Sequence, residues 1–137
     1  MSLLLDTCVL SELIKTKPNE QVLKFFAQVE QQVYISSITL AELHRGVARL
    51  PESKRKFELL NWLNGIEQQY VNSILDFDRN TAKIWGELSN TAQRQGKTLA
   101  LMDSMIAAIT MQHQSILVTR NTKDFEYSGV KILNPWL

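Results

Sequence analysis

The sequence predicts an α/β fold: a three-layer α/β/α arrangement around a mainly parallel central sheet. Short apolar, β-branched-rich runs recur along the chain. Apolar stripes at helical spacing fill the intervals between them, and no repeat, low-complexity stretch or linker interrupts the alternation. Strand–helix alternation of this kind places parallel strands side by side with helices on both faces.

The elements follow in order. Leu3–Leu5 is the first strand run, stopped by Asp6. Lys15-Thr16-Lys17-Pro18-Asn19 reads as a turn between two helices. Val22, Phe25, Phe26 and Val29 then fall at i, i+3, i+4 and i+7, one face of a helix. Val33–Ile35 is the second strand run, and Leu40, Leu43, Val47 and Leu50 form the next stripe. Arg49–Lys54 reads as a turn, with Pro51 placed to start a new helix whose stripe is Phe57, Leu60 and Leu63. The third strand run is Ser73–Phe77. Trp85, Leu88 and Ala92 mark one further helix, and Ile106, Ala107 and Met111 another. Ile116–Thr119 and Val130–Leu133 complete the sheet.

Composition bounds the function. The 137 residues, 45% hydrophobic and 21% charged, match an ordinary globular domain, so residues 1–137 are expected to form one. A chain this long buries about two thirds of its unfolded surface and needs no staples. Its single cysteine, Cys8, cannot form an intrachain disulfide. Leu3–Leu5 falls far short of the roughly 20 apolar residues of a membrane span, and no basic segment precedes it as in a signal peptide. Secretion, membrane insertion, a disulfide scaffold and a zinc finger are disfavoured, and a cytoplasmic location is expected. The net charge of +1 neither supports nor excludes a nucleic-acid partner. Arg45, Arg49, Lys54, Arg55 and Lys56 cluster locally, which a solvated helix end alone would explain.

Ligands of open parallel sheets bind beyond the carboxyl ends of the strands. Those ends carry acids: Asp6 after the first strand, Glu42 one turn into the helix after the second, Asp76 and Asp78 at the third. Asp103 opens the helix leading to the fourth strand, and Thr119, Asn121 and Asp124 follow that strand. Each acid has a structural reading. Asp6 can cap a helix, Thr39-Leu40-Ala41-Glu42 fits a capping box, and Asp103 and Asp124 suit the start of a helix or short turn. Capping, however, is served equally by Ser, Thr or Asn, and nothing in it requires acids at one sheet mouth. Four converging carboxylates repel unless cations intervene, and their hard oxygens suit Mg²⁺ or Mn²⁺.

Four segments carry a family resemblance. Leu4-Leu5-Asp6-Thr7, Ser37 to Leu43, Asp103 to Ala108 and Thr119 to Phe125 stand in the order and spacing of a PIN domain. The chain most resembles the VapC-type ribonuclease toxins of type II toxin–antitoxin systems, from Leu4 to Asn134-Pro135-Trp136. The resemblance implies a PIN-like fold and a Mg²⁺-dependent endoribonuclease, with Mn²⁺ able to substitute. It also implies inhibition by a cognate antitoxin, and a homodimer. It carries metal-site and catalytic roles onto Asp6, Glu42 and Asp103, and onto Asp124 or, in its place, Asn121. Cys8 stands where such toxins often have Asn.

Phosphodiester hydrolysis needs an activated water, neutralised charge and help for the leaving oxygen, which two metal ions about 3.5–4 Å apart can supply. No histidine base is then required. His44, roughly 200° around the helix from Glu42, and His113, far from Asp103, suit none. Arg45 and Arg49 share a helix face with Glu42; they either hold RNA phosphates or, for Arg45, form a salt bridge with Glu42 or a neighbouring acid. Thr7 and Thr119 could bond a carboxylate, the scissile phosphate or backbone groups. Trp62, Trp85 and Phe57 read as core, and Cys8 as a small buried residue. Two other classes stay open: a non-catalytic RNA- or protein-binding domain, and a receiver-like phosphoacceptor module. The latter lacks its paired acids and mid-chain acceptor here.

Overall fold

The computed structural model describes residues 1–137. Five strands, β1 (Leu3–Leu5), β2 (Val33–Ser36), β3 (Ile74–Leu75), β4 (Ile116–Val118) and β5 (Lys131–Leu133), form one sheet in the order β3-β2-β1-β4-β5. Every neighbouring pair is parallel, so the sheet is wholly rather than mainly so. The third strand is only two residues long, shorter than the run Ser73–Phe77 predicts.

Six helices cover the sheet: α1 (Thr7–Glu12), α2 (Glu20–Gln28), α3 (Ser37–Ala48), α4 (Lys54–Gln69), α5 (Arg79–Arg94) and α6 (Leu101–Gln112). A 3-10 turn spans Thr122–Ser128. The pleat of β1 divides the core. Leu3 and Leu5 join Val9, Leu10, Val22, Leu43, Leu63 and Ile66 on the α1–α4 side. Leu4 faces the other way and packs with Leu88, Ile106, Ala107, Ile109 and Phe125, from α5, α6 and the 3-10 turn. β4 divides likewise, Val118 to the first cluster and Leu117 to the second.

Of the predicted α4 stripe Phe57, Leu60 and Leu63, only Leu63 is in the core. Phe57 and Leu60 are 65% and 40% exposed, while Leu63 and Ile66 are buried with Trp62 packed beside them. The helix carries apolar residues on two faces, and the spacing alone does not say which one the sheet covers. Met111, counted in the α6 stripe, is also exposed.

Local chemistry explains the joints. Glu12, buried at the end of α1, accepts from Lys15 Nζ at 2.9 Å and the Asn19 N–H at 3.0 Å, closing the turn expected there. The Lys15 ammonium holds its carboxyl below the usual range. Asp78 caps α5 in a reciprocal capping box with Thr81, so it serves that helix. No helix is long and apolar enough to cross a membrane.

Candidate functional site

The sheet reverses its order of growth at β1, with β2 on one side and β4 on the other. Such a switch point opens a crevice at the strand carboxyl ends. The first residues beyond those two ends are Asp6 and Thr119, and they meet there. Thr119 Oγ1 donates to Asp6 Oδ2 at 2.7 Å, and the Asp6 N–H donates to the Val118 carbonyl at 2.9 Å. Asp6 also caps α1, accepting from the Thr7 N–H at 2.8 Å. Both its oxygens are therefore held, and the residue is 3% exposed. Burial raises its pKa despite these donors, and the Asp124 carboxylate adds to the rise.

Glu42 reaches the site from α3. The cap of that helix is Ser36, whose Oγ accepts from the Thr39 N–H at 3.0 Å. The capping box read at Thr39–Glu42 does not form; a simple Ser36 cap stands one turn earlier, because the chain enters α3 directly from the end of β2. Glu42 is left free of capping and instead accepts from Thr7 Oγ1 at 2.7 Å. Of the partners open to Thr7 and Thr119, both hydroxyls take a carboxylate. Glu42 pKa is raised by burial and by Asp6.

Asp103 is not the N-cap of α6. That position is Ala100, which offers no side-chain cap, and Asp103 lies in the first turn. Its carboxylate accepts no hydrogen bond from another side chain or backbone group. Burial, then Asp6, Glu42 and Asp124 in that order, push its pKa up to about 6. Asp103 thus lies within electrostatic reach of the other three acids. Asp124 is exposed on the 3-10 turn. Asn121 contributes its backbone N–H, which donates to Thr119 Oγ1 at 3.0 Å, while its side chain makes no cap bond.

The acids do not form a closed cage: no three His, Cys, Asp or Glu side chains stand close enough together to hold one cation. In kind, the donor set fits a hard divalent cation: all oxygen, clustered, and carrying raised pKa values that a nearby positive charge would relieve.

The other predicted residues divide. Arg45 and Arg49 are exposed; Arg45 makes no ion pair with Glu42 or any other acid. His44 is exposed and pairs with Glu67, and His113 is the exposed C-cap of α6, so neither is a base for this site. Cys8 is half-buried, with Sγ 3.5 Å from Thr119 Oγ1 and 3.8 Å from Asp6 Oδ2. Burial and then Asp6 push its pKa up, so it stays a thiol. Trp85 is partly buried and donates to Ser104 Oγ at 2.8 Å.

Three cavities adjoin the acids; one, of about 290 Å³, is lined by the consecutive residues Arg120 to Asp124, and the other two were not legible in the sequence. The larger of those two, of about 440 Å³, is lined by Asp103 and Asp124 together with Lys97, Lys123, Glu126 and Tyr127. The Tyr127 hydroxyl is buried without a partner, and burial and Asp103 push its pKa up to about 12. The other, of about 290 Å³, is an apolar cleft of Ile14, Leu43, Val47, Leu50, Leu59 and Trp62 that ends at Thr7 and Glu42. Both are assembled from segments distant in sequence, so no local motif marks them.

A family model described as the PIN domain matches residues 3–129. VapC ribonuclease Y4jK of Sinorhizobium fredii is 37% identical over 136 residues, spanning 98% of this chain and 97% of its own. Toxin FitB of Neisseria gonorrhoeae is 38% identical over 136 residues, with 98% of both chains covered. Among solved structures, FitAcB from Neisseria gonorrhoeae matches with a TM-score of 0.91 at 38% identity, covering 98% of both chains. VapBC2 from Rickettsia felis, bound to a DNA fragment from their promoter, matches with a TM-score of 0.83 at 27% identity, also covering 98% of both.

Proposed function

The chain belongs to the PIN domain family, and on that premise we propose that it is a divalent-metal-dependent endoribonuclease, the toxin of a toxin–antitoxin pair. The observation that carries this reading is the gathering of acids beside the sheet's switch point: Asp6 held by Thr119 at the end of β1, Glu42 held by Thr7, and Asp103 lining one cavity with Asp124 while its own pKa is raised by burial and by the other three acids. Structural capping supports Asp6 alone among them, since Glu42 and Asp103 cap nothing. The ribonuclease names of relatives such as Y4jK support the substrate class.

In this reading Asp6, Glu42, Asp103 and Asp124 hold Mg²⁺, or Mn²⁺ in its place. The bound metal would lower the pKa of an attacking water and neutralise charge building on the phosphate. The chain's own residues supply the positioning. Thr119 and the Thr7 N–H fix both Asp6 oxygens, and the Thr7 hydroxyl fixes Glu42. Asp103 and Asp124 face the larger cavity and leave their oxygens free for cation and substrate. Asp124 is taken as the fourth position because it lines the larger cavity with Asp103, and Asn121, which contributes a backbone bond to Thr119, is the alternative.

The partner reading is an antitoxin protein, with the toxin as a homodimer; the toxin name of FitB and the FitAB and VapBC2 structures support the antitoxin. The apolar cleft ending at Glu42 suits a segment with apolar side chains followed by an arginine. An Arg there would pair with the acids and compete with metal.

RNA cleavage assayed with Mg²⁺, with excess chelator, and after Mg²⁺ is restored tests the reading. Cleavage lost in chelator and recovered with metal is expected. Undiminished cleavage in chelator would overturn the metal chemistry. RNA binding without cleavage under any metal would favour a non-catalytic binding domain.

A further inference from the structure

The cavity shared by Asp103 and Asp124 poses an electrostatic problem for the substrate. RNA is polyanionic, and the backbone phosphates flanking the scissile one would enter a crevice whose walls also carry Asp103, Asp124 and Glu126. Cations at the acids can neutralise the scissile phosphate, but its neighbours need positive charge of their own. The same cavity supplies it. Lys97 and Lys123 line the wall, both are exposed, and neither forms an ion pair with any of the three acids beside it.

Their backbones are also fixed, so the two ammonium groups work from set anchor points. Lys97 follows a Schellman motif at the end of α5. Gly96 takes φ 71°, its N–H donates to the Gln93 carbonyl at 3.0 Å, and the Lys97 N–H donates to the Ala92 carbonyl at 3.0 Å. Lys123 sits in the 3-10 turn pinned by fully buried Phe125, directly before Asp124. Arg45 and Arg49, the cations favoured from sequence, do not line this cavity.

We infer that Lys97 and Lys123 form a phosphate clamp that holds the RNA backbone beside the scissile bond and so positions a single-stranded segment over Asp103 and Asp124. The inference rests on the ribonuclease reading above. Its volume of about 440 Å³ falls within the usual range of ligand sites, roughly 300–1,000 Å³. Glu126 opposes the clamp and weakens it.

The test separates binding from cleavage. Binding of a single-stranded RNA is measured in chelator across a salt series, and steady-state cleavage is measured in Mg²⁺. The proteins are wild type, Lys97→Ala, Lys123→Ala, the double variant, Lys97→Arg/Lys123→Arg, and Glu126→Gln. Lys24→Ala, an exposed lysine of α2, controls for net charge. Each cavity alanine should raise KM and the RNA Kd about three- to tenfold with little change in kcat. Each should also flatten the slope of log K against log salt by about 0.7, the value for one single-strand phosphate. The arginine pair should restore binding, Glu126→Gln should tighten it, and Lys24→Ala should leave both parameters near wild type. Wild-type cleavage indifferent to both lysines would overturn the clamp alone, as would a loss matched by Lys24→Ala. Lysine-dependent RNA binding by a wild type that never cleaves would instead overturn the hydrolytic reading and keep the clamp as a binding site. Absence of RNA binding together with absence of cleavage in Mg²⁺ would overturn both.

Discussion

Thr119 shows how much of the site depends on one hydroxyl. It is fully buried, donates to Asp6 and accepts the Asn121 N–H, so it joins the end of β4 to both the acid and the loop carrying Asp124. Thr119→Val keeps the shape and removes the donor, leaving a buried carboxylate with one partner fewer. A loss of about 1–3 kcal/mol is expected by denaturant titration, with most of it recovered in Thr119→Ser. An unchanged midpoint in Thr119→Val would mean that water replaces the hydroxyl. At this scale the acids themselves were legible, because carboxylates at successive strand ends need no structure to be noticed. Their partners were not. Thr7 had three plausible acceptors, and only the entry of α3 directly from β2 brings Glu42 within its reach. Cys8 was read as a small buried residue, and it lies half-buried against the same Thr119–Asp6 pair.

The elements show where periodicity stops informing. Five strands and their intervening helices follow from the alternation of runs and stripes, since a parallel strand buried on both faces must be apolar throughout. How far the α4 stripe is covered does not follow, because Phe57–Leu60–Leu63 and Trp62–Leu63–Ile66 both satisfy helical spacing. Burial decides it. Leu63→Ala should cost about 2–5 kcal/mol, as for a fully packed core leucine, whereas Phe57→Ala should stay within about 0.5 kcal/mol for the isolated protomer. Comparable losses in the two variants would place Phe57 in the core beside Leu63. The start of α3 was misread for a related reason: Ser36 and Thr39 are both good caps, and the sequence favoured the one followed by Glu42. Ser36→Ala should cost about 1 kcal/mol in thermal or chemical unfolding, which a cap at Thr39 would not produce.

Across the whole molecule, the clustered acids link stability to pH and to metal. Asp103 has its pKa raised from 3.8 to about 6. Between those values the folded state keeps a proton that the unfolded state has released, so this group's stabilisation is present below about pH 4 and lost as pH rises through about 6. Asp6 and Glu42 shift in the same direction, while Glu12 and Asp78 shift oppositely. The comparison that isolates Asp103 is therefore wild type against Asp103→Asn in chelator. The variant's relative Tm should rise between pH 4 and pH 7, and Mg²⁺ at pH 7 should raise the wild-type Tm more than the variant's. A relative Tm that is flat with pH would show that Asp103 is not coupled to the other acids. The sheet mouth that gathers these acids was legible from the parallel sheet expected and the position of each acid at a strand end. The lysine-lined cavity beside them was not, since Lys97, Asp103 and Lys123 meet only after α5, α6 and the 3-10 turn have packed. The central claim is that Asp103 serves as an anion toward metal. The most direct measurement is RNA cleavage in Mg²⁺ by purified, folded Asp103→Asn, which keeps the shape and removes the charge. Loss of a residue that merely supports a metal ligand costs about 10–100-fold, so loss of a ligand's charge should cost about 100-fold or more with the fold intact. Cleavage at near the wild-type rate by that folded variant would contradict the account.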